Sequence, residues 1–117
     1  DSSASVGIVT TATSFVEANL SKPELDTALV ARHCGISVSY LHACFAASAE
    51  NAGALIRRLR LGRCHEALCS SSLRHLSILE IALRWGYTSS SSFNHVYRAR
   101  FGVAPSRARS LYFRNPT

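Results

Sequence analysis

Between Ser89 and Phe101 the chain sets Ser90, Ser91, Asn94, His95, Arg98 and Arg100 among Phe93, Val96, Tyr97 and Phe101. The four apolar residues recur at helical spacing and predict one buried stripe. The six polar residues carry short hydrogen-bonding or basic ends. That is the composition of a helix packed on one side and laid against nucleic acid on the other. Asparagine offers a bidentate contact to adenine, and imidazole can donate to a base acceptor or, when protonated, pair with phosphate. Arginines just past an apolar stripe suit phosphate. The plain alternative for each is a solvated polar face.

A second chemistry is offered by the thiols. Cys34 lies beside His33, Cys44 near His42, and Cys64-His65 near Cys69, all soft-ligand candidates. Yet there is no CxxC pair and no secreted spacing. Cys64 and Cys69, five apart on a helix, are separated by ~500° of rotation and do not share a face. Reduced, buried structural thiols are the expectation, with no metal and no cofactor. No Ser/His/Asp arrangement, paired carboxylates, Walker loop or dinucleotide fingerprint is visible, and the seven acids are scattered. The chain reads as a non-enzyme.

The elements that must position the Ser90–Phe101 residues begin with Ile81-Ala82-Leu83-Arg84-Trp85-Gly86-Tyr87, read as a helix ending in a sharp turn. Ala82 is small enough for a second helix to cross closely, and Gly86 supplies a turn open to positive φ. Trp85 and Tyr87 flank that glycine and are expected in the core. Ser77 and Glu80 form a capping box at the start of this helix. Upstream, a first helix is expected over Val6–Leu20, broken by Ser21-Lys22-Pro23. A second runs over Asp26–His33, capped by Asp26, and a third follows the expected cap Ser37 through Phe45. A longer helix over Ala54–Ser70 has its apolar residues on two patches. Leu55, Ile56 and Leu59 form one, and Leu61, Cys64 and Leu68 the other, which suits a helix bridging two cores. Pro105 opens a last helix. These readings divide the chain into a linker remnant (1–5), a first helix-turn-helix subdomain (6–53), a bridging helix (54–70), a second subdomain (71–114) and a frayed tail (115–117).

Composition bounds the partners. At 117 residues and 47% hydrophobic the chain is long enough for one folded unit, or two small ones sharing a helix. Net charge is +6. All seven acids fall in residues 1–80, whereas residues 81–117 hold six arginines and no acid. A phosphate backbone is the natural partner of such a surface. No apolar run approaches the ~18 residues of a membrane helix and there is no basic signal-peptide start, so a cytoplasmic protein is expected. The lack of methionine, even at position 1, points to an excised or processed piece of a longer protein.

The two halves also match. Asp26, Ala31, Gly35 and Ile36 recur as Ser77, Ala82, Gly86 and Tyr87, offset by 51 positions. Leu41 and Phe45 then answer Phe93 and Tyr97 if the second turn holds one extra residue. A cap, a small residue, a turn glycine and two anchors recurring together are far more specific than one helix-turn-helix.

At these residues the sequence resembles the DNA-binding domain of the AraC/XylS family of bacterial transcription regulators. The family pattern of the second unit is met at Ile78, Ile81, Ala82, Gly86, Tyr87, Phe93, Tyr97, Arg98, Phe101, Gly102 and Pro105. The resemblance covers about residues 8–112. It implies an all-α, homeodomain-like fold of about seven helices, two helix-turn-helix subdomains joined by a long central helix. It implies two recognition helices in successive major grooves of double-stranded DNA. Base-facing positions fall on Ser39, His42 and Ala43 in the first and on Ser90, Ser91, Asn94 and His95 in the second. Ser37, Tyr40, Arg60, Arg98 and, from its own place after the stripe, Arg100 fall near phosphate. A missing N-terminal effector or dimerisation domain, contact with RNA polymerase, an activating role and a place in the bacterial nucleoid are implied likewise. Several positions depart from the family. Ala43 has no donor for a base, Gly62 interrupts the bridging helix, and Ala104 replaces the Ser/Thr cap before Pro105. Ala43 and the serine-rich second helix keep open a protein-interaction module that binds DNA weakly and without preference. The cysteines keep open a thiol- or metal-responsive regulator.

Overall fold

Asp26 and Ser77 each close the start of a helix with their own side chain. The Asp26 carboxylate accepts the Leu29 N–H at 2.8 Å, and the Ser77 hydroxyl accepts the Glu80 N–H at 3.0 Å. Glu80 returns the bond by accepting the Ser77 N–H at 3.0 Å, completing the capping box. Both helices stop in the same way. Gly35 (φ 70°) and Gly86 (φ 95°) take left-handed backbone. The next residue donates back across the turn, Ile36 to the Ala31 carbonyl and Tyr87 to the Ala82 carbonyl, each at 3.0 Å. These are paired Schellman closures, and the positive φ is why glycine stands at both.

The structure, a computed structural model, describes residues 2–114. Asp1 and the expected 115–117 tail lie outside the described residues. Seven α-helices and one 3-10 turn make up the regular structure described. They are α1 (Ser2–Asn19), α2 (Thr27–Cys34), α3 (Val38–Phe45), α4 (Ala52–Leu68), α5 (Ile78–Arg84), α6 (Ser90–Phe101) and α7 (Pro105–Arg114), with the 3-10 turn at Ser71–Leu73. The fold is all-α, as the repeat and the resemblance imply.

Three boundaries differ from expectation by two residues or more, each for a local reason. Helix α1 begins at Ser2, so residues 2–5 continue the helix instead of forming a polar linker. Ala4 is the best of helix formers and serine is intermediate, so the Ser-Ser-Ala-Ser segment lets the helix continue to its start. Helix α4 begins at Ala52 instead of Ala54, because Asn51 is its cap. The Asn51 side-chain oxygen accepts the Ala54 N–H at 2.8 Å. It ends at Leu68, and the serine run that follows holds the 3-10 turn.

The chain divides into two compact units, residues 1–59 and 60–117, with the division inside α4. The first unit buries Ala12 and Val16 of α1, Leu20 in the turn just after it, Val30 and Ala31 of α2, and Leu41, Cys44 and Phe45 of α3. Leu55 and Ile56, from the first half of α4, are buried within the same unit. The second unit has Leu61, Cys64, Ala67, Leu68, Ile81, Ala82, Phe93 and Tyr97 as one buried cluster. Trp85 and Tyr87 pack against that cluster, as expected of residues beside the turn glycine. The two apolar patches on α4 therefore belong one to each unit.

Candidate nucleic-acid interface

Helix α6 is held from three sides before any of its polar residues is placed. The Ser89 hydroxyl accepts the Ser92 N–H at its start. Left-handed Gly102 (φ 81°) ends it, donating to the Arg98 carbonyl at 2.8 Å. Phe93 and Tyr97 are fully buried between these ends. A buried phenol needs a polar partner, and α4 supplies one: the Tyr97 hydroxyl lies 2.8 Å from His65 Nδ1. The His65 ring also stacks on Phe101 at 4.7 Å between centroids. Burial, with smaller contributions from Cys69 and Cys64, pushes the Tyr97 phenol up to about 12. The sequence offers His65 only as a soft-ligand candidate beside Cys64, whereas in the fold it is the polar partner of the motif tyrosine.

The outward positions follow from rotation of ~100° per residue. Taking Phe93 and Tyr97 as the buried side, Asn94, Arg98, Ser91 and His95 fall within one arc of ~100° on the far side. All four are exposed. Ser90, also exposed, sits at the helix start nearer the buried side. Arg100 is exposed but stands two residues, ~200°, from Arg98, so it does not share that face.

Helix α3 repeats this arrangement with the offset raised to 52 by the extra turn residue. Its cap is Ser37, whose hydroxyl accepts the Tyr40 N–H at 3.0 Å. Leu41 and Phe45 are buried where α6 has Phe93 and Tyr97. Ser39, His42, Ala43 and Ala46 are exposed at the places of Ser91, Asn94, His95 and Arg98. Tyr40 is 44% exposed but lies to the side of that quartet. Two faces of matching geometry thus carry different chemistry. The second has an amide, an imidazole and a guanidinium, whereas the first has one imidazole and two alanines.

Charge divides in the same sense. Residues 1–59 contain four basic and five acidic residues, net −1, and residues 60–117 contain nine basic and two acidic, net +7. Within the first unit, Arg58 is further neutralised by Glu50, its Nε and terminal nitrogen meeting one carboxylate oxygen at 2.9 and 2.7 Å. Arg60, at the start of the second unit, is half-buried. Not every arginine of the basic third faces outward. Arg109 turns inward and donates to the carbonyls of Leu68 (3.2 Å), Leu76 (2.6 Å) and Leu73 (3.0 Å). It ties α7 to the end of α4 and to the segment after it. Counting charge could not separate this structural guanidinium from the exposed ones.

The four thiols are free, with Cys44 and Cys64 buried and Cys34 and Cys69 half-buried. Burial pushes Cys64 up to about 12, against the opposing pull of Arg60. Burial also raises Cys34 and Cys69 above the ordinary thiol value. Protonated thiols are poor nucleophiles and poor ligands. Among the described residues no three His, Cys, Asp or Glu side chains could hold a metal. No described helix is long and apolar enough to cross a membrane.

A family model described as a helix-turn-helix domain matches residues 30–110. The chain belongs to the AraC/XylS-type helix-turn-helix DNA-binding domains. It is 35% identical over 112 residues to the probable thc operon regulatory protein of Rhodococcus erythropolis, a match covering 92% of this chain and 33% of that protein. It is 31% identical over 93 residues to the regulatory protein HrpB of Ralstonia nicotianae, covering 79% of this chain and 20% of the other. The chain thus spans a third or less of these curated relatives. Among solved structures, an AraC-type transcriptional regulator from Chromobacterium violaceum superposes with a TM-score of 0.80 at 28% identity, covering 98% of this chain and 99% of the other. The C-terminal domain of the response regulator AraT from Geobacillus stearothermophilus gives 0.82 at 27% identity, covering 89% and 84%. This AraC/XylS-type chain is a DNA-binding domain of a transcription regulator.

Proposed function

We propose that the domain binds double-stranded DNA sequence-specifically, laying α3 and α6 in successive major grooves. The observation that carries this reading is the pair of capped helices with matching outward quartets, each fixed by two buried anchors. Asn94 and His95, with Ser90 and Ser91 beside them, read base edges in the second groove. Ser39 and His42 do so in the first, where Ala43 offers no donor and only apolar contact to a thymine methyl. Ser37, Tyr40, Arg60 and Arg98 meet phosphates. Arg100, off the face that carries Arg98, meets phosphate from the flank or adds to the field. The intact protein is an activator that touches RNA polymerase in the bacterial cytoplasm, with an effector-binding or dimerisation domain in the sequence its relatives have beyond this match.

Selection of bound duplexes from a random pool at fixed salt tests the reading. A defined motif is expected, most constrained where α6 reads. His95→Ala should alter preference at a few positions, and Arg98→Ala should weaken all duplexes alike. An unenriched pool bound weakly at every sequence would favour the protein-interaction module, and salt-insensitive binding would refute the phosphate contacts.

A further inference from the structure

Away from the α6 quartet, the second unit carries a cleft of about 430 Å³ lined by Arg74, Ser106, Arg109, Ser110, Phe113 and Arg114. Three of the six are guanidinium, two are hydroxyl and none is acidic. Ser106, Arg109, Ser110, Phe113 and Arg114 recur at i, i+3, i+4, i+7 and i+8, so they share one face of α7. Arg74 comes from the end of the 3-10 turn and lies over the Phe113 ring at 4.3 Å.

The two walls are locked together. Arg109 donates to the carbonyl of Leu73, the residue before Arg74, and to that of Leu76. Its charge meets only carbonyl dipoles there, so the floor of the cleft stays cationic. Phe113 fixes the Arg74 guanidinium by stacking, which lowers the ordering cost of using it. Arg74 and Arg114 are exposed and line the cleft. Planar guanidinium forks beside hydroxyl donors match an oxyanion with several equivalent oxygens.

We propose that this cleft is a phosphate-binding site, with Arg74 and Arg114 as its clamp and Ser106 and Ser110 as hydroxyl donors. Two sources share the chemistry: a free phosphate or phosphate ester, and the backbone of bound DNA. The first arm of the test needs no DNA and stands whether or not the proposed duplex reading holds. Sodium pyrophosphate is titrated into the 15N-labelled chain at constant ionic strength. Saturable amide shifts are expected at Arg74, Ser106 and Ser110. In Arg74→Gln/Arg114→Gln, whose replaced side chains are exposed, the dissociation constant should rise at least tenfold with the remaining spectrum unchanged.

The second arm repeats the titration with the selected duplex present. Displacement of pyrophosphate, together with loss of duplex affinity in the double variant, assigns the site to backbone phosphate. Simultaneous binding with unchanged duplex affinity assigns it to a free phosphate. Pyrophosphate shifts that fail to saturate, that spread evenly over all arginine-rich segments, or that persist in the double variant would overturn the proposal.

Discussion

If α3 and α6 present equivalent faces, a cation moved between equivalent positions should carry its phosphate contact with it. Arg98 and Ala46 are such a pair, 52 residues apart, each exposed one turn after its outward histidine or alanine. Arg98→Ala removes one contact, so the slope of log affinity against log salt should flatten by about 0.9. Between 50 and 200 mM salt that contact alone accounts for about a 3.5-fold change in affinity, enough to resolve in a fluorescence-anisotropy titration. Ala46→Arg adds a guanidinium at the mirrored place. Ala46 has ordinary right-handed backbone at the end of α3 (φ −58°, ψ −32°), so a long side chain is accommodated without strain. In the Arg98→Ala background it should steepen the slope again by about 0.9, because it places a cation where the first unit, at net −1, has none. The same substitution at Ala28, exposed on α2, is the control and should leave the slope nearly unchanged. Equal slopes for Ala46→Arg and Ala28→Arg would refute the equivalence of the two faces.

Three further outcomes are expected. Gly62→Ala should stabilise the chain by about 0.5–1 kcal/mol in urea melts, because Gly62 is inside α4 and a Cβ there meets nothing within 4 Å. A destabilised variant would mean that α4 needs the glycine. Arg109→Met should cost about 2–4 kcal/mol by leaving three carbonyls without their charged donor, whereas Arg107→Met, on an exposed position, should stay within about 0.5 kcal/mol. The capping box gives a pH signature. The Ser77 backbone N–H, and then its hydroxyl, hold the Glu80 carboxyl below its ordinary 4.5. A lowered folded-state value means stability that is present above 4.5 and lost as pH falls through the folded value. Glu80→Gln should therefore lower stability modestly at neutral pH, where the carboxylate contribution is present, and converge on the parent chain at the acid end, so that the acid limb of a thermal-stability profile flattens; an unchanged acid limb would remove the box from the account.

The repeat was legible because it rests on backbone demands that few residues meet. Only glycine fits cheaply at Gly35 and Gly86, only a short acceptor caps at Asp26 and Ser77, and both requirements leave marks in the sequence at fixed spacing. The two-patch pattern on α4 was readable for the same reason: apolar periodicity reports a buried side directly. What could not be read were contacts between residues far apart in the chain. Nothing local marks Arg109 as the donor to Leu68, Leu73 and Leu76, or His65 as the partner of Tyr97. Asn51 was missed because its cap lies in a run of small residues, where the pattern gives no sharp edge. The lining of the α7 cleft escaped likewise, since Arg74 reaches it from a segment more than thirty residues away.

The duplicated scaffold bears on how the two faces divide their work. The buried anchors, the serine N-caps and the glycine closure of the preceding helix are shared by α3 and α6, so differences in DNA contact should arise chiefly from the outward quartets and the surrounding charge. Both differ in one direction. The α6 quartet has donors and acceptors suited to base edges, and the unit around it carries the whole positive excess. The α3 quartet keeps one histidine and sits in a unit of slight negative charge. Affinity and most of the base discrimination should therefore be governed by the second unit, and the first should add a smaller discrimination through His42 among duplexes already held. Under that division, substitution of His42 would change the ranking of operators more than the mean affinity. Substitution of Arg98 would do the reverse. Comparing the two variants across one panel of duplexes at one salt concentration separates the roles, and a uniform loss for His42→Ala would show that the first face also anchors.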